Sequence, residues 1–186
     1  MCGRFTLRNK QQVQDLTGEV IEENYNVAPS TNILTITDSP EWRKWSYSPS
    51  WAKEPMNLIN ARSESVREKP SFKESKPCLV LADGWYEWKR DGGVKQPYFF
   101  HMDHQMFYIA GIYNETGCAL LTKEANEKLS PIHNRMPIIL KHNEARDYLN
   151  GKDRFGSSLS MHVEFYQVDR MVNSPRVNNA KNIEEY

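Results

Sequence analysis

The chain has 186 residues, enough for one domain with a sizeable core, and its 24 Lys and Arg are matched by 24 Asp and Glu. That balance excludes a strong overall field toward a polyanion but leaves room for a local basic groove, because placement rather than net charge decides. No signal-like or membrane-spanning apolar run is present, and Cys2, Cys78 and Cys118 are too scattered for a disulfide framework or a structural zinc site. A cytoplasmic, monomeric chain (nucleoid-associated if bacterial) with reduced thiols, no metal, no cofactor and no membrane partner is expected.

Taken in order, the opening Met1-Cys2-Gly3-Arg4-Phe5 precedes a short helix that Asn9 caps and Gly18 ends. Asn24 to Ser30 is turn-rich, with Pro29 imposing extended geometry before it. Strands are predicted over 33–37 and 41–47, and Ser48-Pro49-Ser50-Trp51 then presents a loop tryptophan. Leu58 to Val66 is an apolar approach to a polar cluster, followed by a basic loop or short helix around Phe72.

Cys78 to Ala82 reads as a strand buried on both faces, leading into Asp83-Gly84-Trp85-Tyr86-Glu87-Trp88-Lys89. Asp91-Gly92-Gly93 predicts a hairpin into 96–100. Two further strands follow over 106–113 and 118–122, then a helix over 124–129 and a strand over 138–140. A helix capped by Asn143 runs to Asn150, and the last strand covers 163–168. Strands outnumber helices about two to one without βαβ alternation, which predicts an α+β, mainly β single domain built on a curled, mostly antiparallel, barrel-like sheet.

Chemistry is concentrated at a few positions. Removal of Met1 would leave Cys2 with a free amine and a thiol two bonds apart. An aldehyde can form an imine with that amine, and the thiol can close a thiazolidine ring. The same end could act as an N-terminal nucleophile, or Cys2 could be an ordinary thiol. Glu87 shares a strand face with Asp83 and Trp85, where desolvation beside indole would raise its pKa toward general acid–base use; an exposed edge-strand glutamate is the alternative. His133 lies in a turn, as either a proton-transfer group or a structural one. Asn60 and Arg62 alternate to one side of their strand, suited to a phosphate or a carbonyl. Trp51 and Phe72 are loop aromatics able to stack on bases, with Arg4, Arg62 and Arg135 as phosphate contacts.

Five motifs occur in a fixed order: Cys2-Gly3-Arg4-Phe5, Tyr25-Asn26-Val27-Ala28-Pro29, Ile59-Asn60-Ala61-Arg62-Ser63-Glu64, Asp83-Gly84-Trp85-Tyr86-Glu87-Trp88-Lys89, and Ile132-His133-Asn134-Arg135-Met136-Pro137. Together they resemble the SOS-response-associated peptidase (SRAP) family, whose members shield abasic sites in single-stranded DNA. The resemblance runs to about Val172-Asn173-Ser174-Pro175. One motif departs: a usual Trp-Gly-x-x-Pro-x-Trp stands here as Trp45-Ser46-Tyr47-Ser48-Pro49-Ser50-Trp51.

The resemblance implies a curled antiparallel sheet with flanking helices and a basic groove. It implies that Cys2, freed of Met1 by self-processing or an aminopeptidase, links to the aldehyde of an abasic site as a thiazolidine. Asn60 would then position Cys2, Glu87 act as acid–base and His133 assist sugar ring opening. Arg4, Arg62 and Arg135 would hold phosphates, and Trp51, Phe72 and Pro29 would lie against the DNA. Two other classes compete: a cysteine peptidase acting on other proteins, and a non-covalent single-stranded-DNA-binding module.

Overall fold

The computed structural model describes residues 2–152 and 162–186. Within them the chain forms β1 (Phe5–Leu7), α1 (Lys10–Thr17), β2 (Asn24–Val27), β3 (Asn32–Ile36), β4 (Pro40–Lys44) and β5 (Asn60–Arg62). It continues with β6 (Lys76–Ala82), β7 (Gly84–Asp91), β8 (Val94–His101), β9 (Phe107–Asn114) and β10 (Gly117–Glu124). The last elements are β11 (Arg135–Pro137), β12 (Ile139–Leu140), α2 (His142–Leu149) and β13 (Glu164–Gln167).

The domain is mainly β, as the strand count predicts. Its strands fall into two open sheets rather than one closed barrel. One sheet has the order β13-β8-β7-β1-β2. The other runs β11-β10-β9-β6-β3-β4, with β12 on β9 and β5 on β10. Among the described residues every strand pair is antiparallel except β5 with β10, where Asn60 lies opposite Leu120.

Phe5, Trp85 and Phe100 of the first sheet and Val80, Ile109 and Leu120 of the second join one buried cluster, so the main core lies between the sheets. A second cluster, including Leu79, Ile112, Leu121 and Tyr148, covers the other face of the larger sheet beneath α2. β6 therefore buries alternate residues in different clusters, Cys78, Val80 and Ala82 in one and Leu79 in another. This is why its apolar run is continuous rather than alternating. Among the described residues, no helix is long and apolar enough to cross a membrane.

Local chemistry explains most boundaries. Gly18 ends α1 in the left-handed conformation at φ 76°, its N–H donating to the Gln14 carbonyl. Asp91 pairs with Val94 across Gly92 and Gly93, whose positive φ values of 53° and 85° supply the two-residue hairpin turn. Asn9 does precede α1, but its side chain makes no cap bond and donates instead to Asp83 Oδ2 at 2.9 Å.

Two helix predictions need correction. Residues 124–129 form no helix: Glu124 completes β10, and turns follow it, because Asn126 accepts the Leu129 N–H locally. The helix assigned to an Asn143 cap begins two residues earlier than that cap would place it, at His142, behind Lys141. There Glu144 reaches back to the Lys141 N–H at 2.8 Å and takes the reciprocal role of a capping residue.

Candidate active site

The N-terminal segment is woven into the first sheet. β1 pairs with β7 at Phe5–Trp85 and Thr6–Gly84, and Tyr86 N–H donates to the Arg4 carbonyl at 3.0 Å. Extending that antiparallel register sets Gly3 across from Glu87. Gly3 and the residues that follow it are thereby fixed beside the middle of a central strand instead of fraying.

Asp83 makes this placement rigid. Its buried carboxylate accepts hydrogen bonds from Thr6 Oγ1 (2.6 Å), Arg8 N (2.5 Å), Arg8 Nε (2.8 Å), Asn9 N (3.0 Å) and Asn9 Nδ2 (2.9 Å). These bonds tie the far end of β1 to the corner where β6 of one sheet becomes β7 of the other. A buried carboxylate is tolerable when its lone pairs are met by donors and a cation, and here they are. Asp83 thus has a structural task, although it shares a strand face with Glu87.

Glu87 differs. It is only 3% exposed, inside a strand flanked by β8 and β1, so the edge-strand alternative does not hold. Burial pushes its carboxyl up to about 7. His133 Nδ1 lies 3.9 Å from Glu87 Oε2. That same nitrogen accepts the Arg135 N–H at 3.1 Å, which orients the ring from the turn before β11. Burial above all holds the His133 pKa below its ordinary value; the positive charge of Arg90 acts in the same direction, while the hydrogen bond to the Arg135 backbone opposes it. Near neutral pH the pair is therefore a carboxyl that exchanges its proton and an imidazole that is mostly neutral.

Cys2 is completely buried, and Asn60 Nδ2 donates to its carbonyl at 2.9 Å. The Asn60 Oδ1 atom is buried without a hydrogen-bond partner. The Cys2 thiol reaches the Arg4 carbonyl at 3.7 Å, and burial, reinforced by the negative charge of Glu87, pushes its pKa well up. It is a thiol and not a thiolate. Met1, whose removal the expected chemistry requires, lies outside the described residues. Cys2, Asn60, Glu87 and His133 come from four separate stretches of sequence and meet in one place. Gly3, Glu87 and His133 line an open cavity of about 540 Å³.

The remaining predicted residues divide. Arg62 is exposed on β5, and Trp51 is exposed in its loop, at 60%. Pro29 is half-buried in the turn between β2 and β3. Arg4 is drawn inward, donating to Asn26 Oδ1 and the Val172 carbonyl, both at 2.8 Å, with its guanidinium 5.8 Å from the Trp88 ring. Arg135 forms a bidentate pair with Glu64 at 2.6 and 2.9 Å and also donates to the Thr122 carbonyl. Phe72 is buried, its ring 5.4 Å from Tyr47, and it closes the second core cluster.

Sequence reasoning passed over Arg90 and Lys95, which line the same cavity. Their signal was available: they are the residues flanking a predicted hairpin turn, one position outside Asp91 and Val94.

The SOS response associated peptidase (SRAP) family model matches residues 1–175. The chain is 37% identical to the abasic site processing protein YoqW of Bacillus subtilis, over all of both chains. It is 31% identical to the abasic site processing protein YedK of Escherichia coli, over 98% of this chain and 96% of that one. A crystal structure of a protein from Bacteroides thetaiotaomicron superposes with a TM-score of 0.82 at 23% identity, over all of both chains.

Proposed function

Because the chain belongs to the SOS response associated peptidase family, we propose that it processes abasic sites in single-stranded DNA by covalent capture through Cys2 once Met1 has been removed. The observation that carries this reading is the convergence on Cys2. Asn60 fixes its carbonyl at 2.9 Å, and a buried carboxyl with a pKa of about 7 lies alongside with a neutral imidazole next to it. A DNA-binding module without chemistry has no use for a desolvated acid at its N-terminus.

The steps balance without a cofactor. An abasic site exists mainly as a cyclic hemiacetal; His133, held neutral, accepts the proton of the anomeric hydroxyl as the C1′–O4′ bond breaks, and returns that proton to O4′, leaving the open-chain aldehyde with a free C4′ hydroxyl. A free α-amine has an ordinary pKa of about 7.7–8.0, so an appreciable neutral fraction adds to C1′ near pH 7. Protonated Glu87 gives its proton to the resulting hydroxyl, which leaves as water, and C1′ becomes an iminium carbon. The Cys2 sulfur then bonds to C1′, and the thiol proton returns to the Glu87 carboxylate. The product is a thiazolidine, with one water released in all. An acid with a pKa close to the working pH both gives and takes the proton efficiently.

Asn60 has a further part. Its Nδ2 holds the carbonyl of Cys2, and its buried Oδ1 is available to accept from the amine that methionine removal exposes. Arg62 and Trp51, both exposed, supply a phosphate contact and a stacking face for the strand.

The test is incubation with a single-stranded oligonucleotide carrying one abasic site, followed by denaturing electrophoresis. A covalent species is expected with the native chain and none with Cys2→Ala, which should keep its reversible affinity for the strand. Equal covalent yield from Cys2→Ala would overturn the proposal. Cleavage of an added protein substrate with no DNA adduct would favour a peptidase.

A further inference from the structure

Arg90 of β7 and Lys95 of β8 are directly opposite each other in the hairpin. Like charges in that position repel, since facing side chains of an antiparallel pair sit about 5 Å apart at Cβ. Neither side chain has an ion-pair or hydrogen-bond partner among the described residues, and both residues are exposed. Yet both line the cavity that holds Glu87 and His133. The third cation of that cavity, Arg4, is committed to Asn26 and the Val172 carbonyl. Its one carboxylate, Glu87, is buried and half protonated near neutral pH. The outer part of the cavity is therefore a site of uncompensated positive charge within reach of the reacting groups.

We propose that Arg90 and Lys95 form a clamp for a phosphate of the reacting nucleotide, placing the phosphodiester next to the opened sugar while C1′ meets Cys2. An anion between the two side chains removes their mutual repulsion and contributes two charge-assisted bonds. It also screens Arg90 from His133, where Arg90 is one of the groups that disfavour the protonated ring. Substrate binding would thus make His133 easier to protonate when it has to carry the anomeric proton. The clamp rests on the function proposed above, and it adds the selectivity: an aldehyde flanked by phosphate should react faster than a neutral one.

Two measurements separate the clamp from the covalent chemistry. The first is reversible binding of an unmodified single-stranded oligonucleotide by fluorescence anisotropy, in a Cys2→Ala background, across salt concentrations. Arg90→Gln with Lys95→Gln should flatten the slope of log K on log salt by about 0.7, the value for one phosphate left without its counter-charge. Arg90→Lys with Lys95→Arg should restore it. Lys10→Gln with Lys181→Gln, two exposed lysines outside the cavity, should leave it unchanged. The second is the rate of adduct formation, followed by mass spectrometry, with glyceraldehyde 3-phosphate and with glyceraldehyde. The native chain should favour the phosphorylated aldehyde, and the Arg90→Gln, Lys95→Gln variant should lose that preference while reacting normally with glyceraldehyde. An unchanged salt slope in the double variant overturns the clamp whatever the adduct does. A native chain that forms no adduct with an abasic oligonucleotide overturns the covalent function whatever the slope does.

Discussion

Asn60 donates its side-chain amide to the carbonyl of Cys2 across 58 residues of sequence, and among the described residues no other side chain holds that carbonyl. The donor is set by β5, a three-residue strand that pairs in parallel with β10. Losing one such bond should cost only about 1 kcal/mol of stability. The effect on reaction should be larger, because a misplaced amine forfeits orientation. Asn60→Ala is expected to melt within a few degrees of the native chain yet form adduct roughly 10–100-fold more slowly. A native rate in Asn60→Ala would show that Cys2 is positioned by its backbone alone.

Glu87 carries opposite consequences for stability and for chemistry. Its folded pKa, raised by burial from 4.5 to about 7, means that the folded state binds more protons than the unfolded one between those values. Stability contributed by the protonated form is complete below about 4.5 and is lost as pH rises through about 7. The displacement corresponds to about 3 kcal/mol. Glu87→Gln should therefore be more stable than the native chain at about pH 8, by up to that amount, and similar to it at about pH 4. Denaturant titrations at the two pH values check this.

The pH profile of adduct formation should carry the same group. Its acid limb reflects protonation of the amine, and its basic limb, centred near pH 7, reflects loss of the Glu87 proton. In Glu87→Gln the basic limb should vanish and the maximal rate fall by roughly 10²–10⁴-fold, the usual contribution of a positioned acid. Stopped-time adduct assays across the range from about pH 5 to 9 decide the matter. A basic limb that persists in the variant would assign it to another group.

Asp83 and Glu87 are both buried carboxylates of one chain segment, and their substitutions should behave differently. Asp83 satisfies five donors and pairs with Arg8 at 2.8 Å. Asp83→Ala leaves the largely buried Arg8 guanidinium without its counter-charge and several N–H groups unmatched, at a cost of about 3–5 kcal/mol. That loss should appear as a lowered thermal melting temperature and a lower yield of folded protein. An Asp83→Ala variant with a native melting temperature would remove Asp83 from the framework that fixes β1.

Met1 decides whether the chemistry is available at all. The reaction needs amine and thiol on one residue, so chains that retain Met1 should bind single-stranded DNA and form no thiazolidine. Mass spectrometry of the reacted protein should find the adduct only on chains that begin at Cys2. Equal adduct on chains that keep methionine would move the reaction to Cys78, Cys118 or a lysine.

By itself the sequence determined the local facts. The apolar run Cys78 to Ala82 reads as a strand covered on both sides, Asp91-Gly92-Gly93 signals a hairpin, and the pairing of amine and thiol on Cys2 is a matter of covalent structure. Family motifs at Cys2, Asn60, Glu87 and His133 were legible as well, because residue order survives in the chain. Long-range pairing decided the rest. That Glu87 is an acid with a raised pKa while Asp83, four residues earlier, is a clamped structural anion depends on which donors β1 brings to each, and no period or composition encodes that. The Arg135–Glu64 pair, the burial of Phe72 and the inward turn of Arg4 follow from the packing of distant segments. So does the facing of Arg90 and Lys95 beside His133: the hairpin makes them neighbours, but only the packing of β1 and the turn before β11 against it makes their charge part of a site.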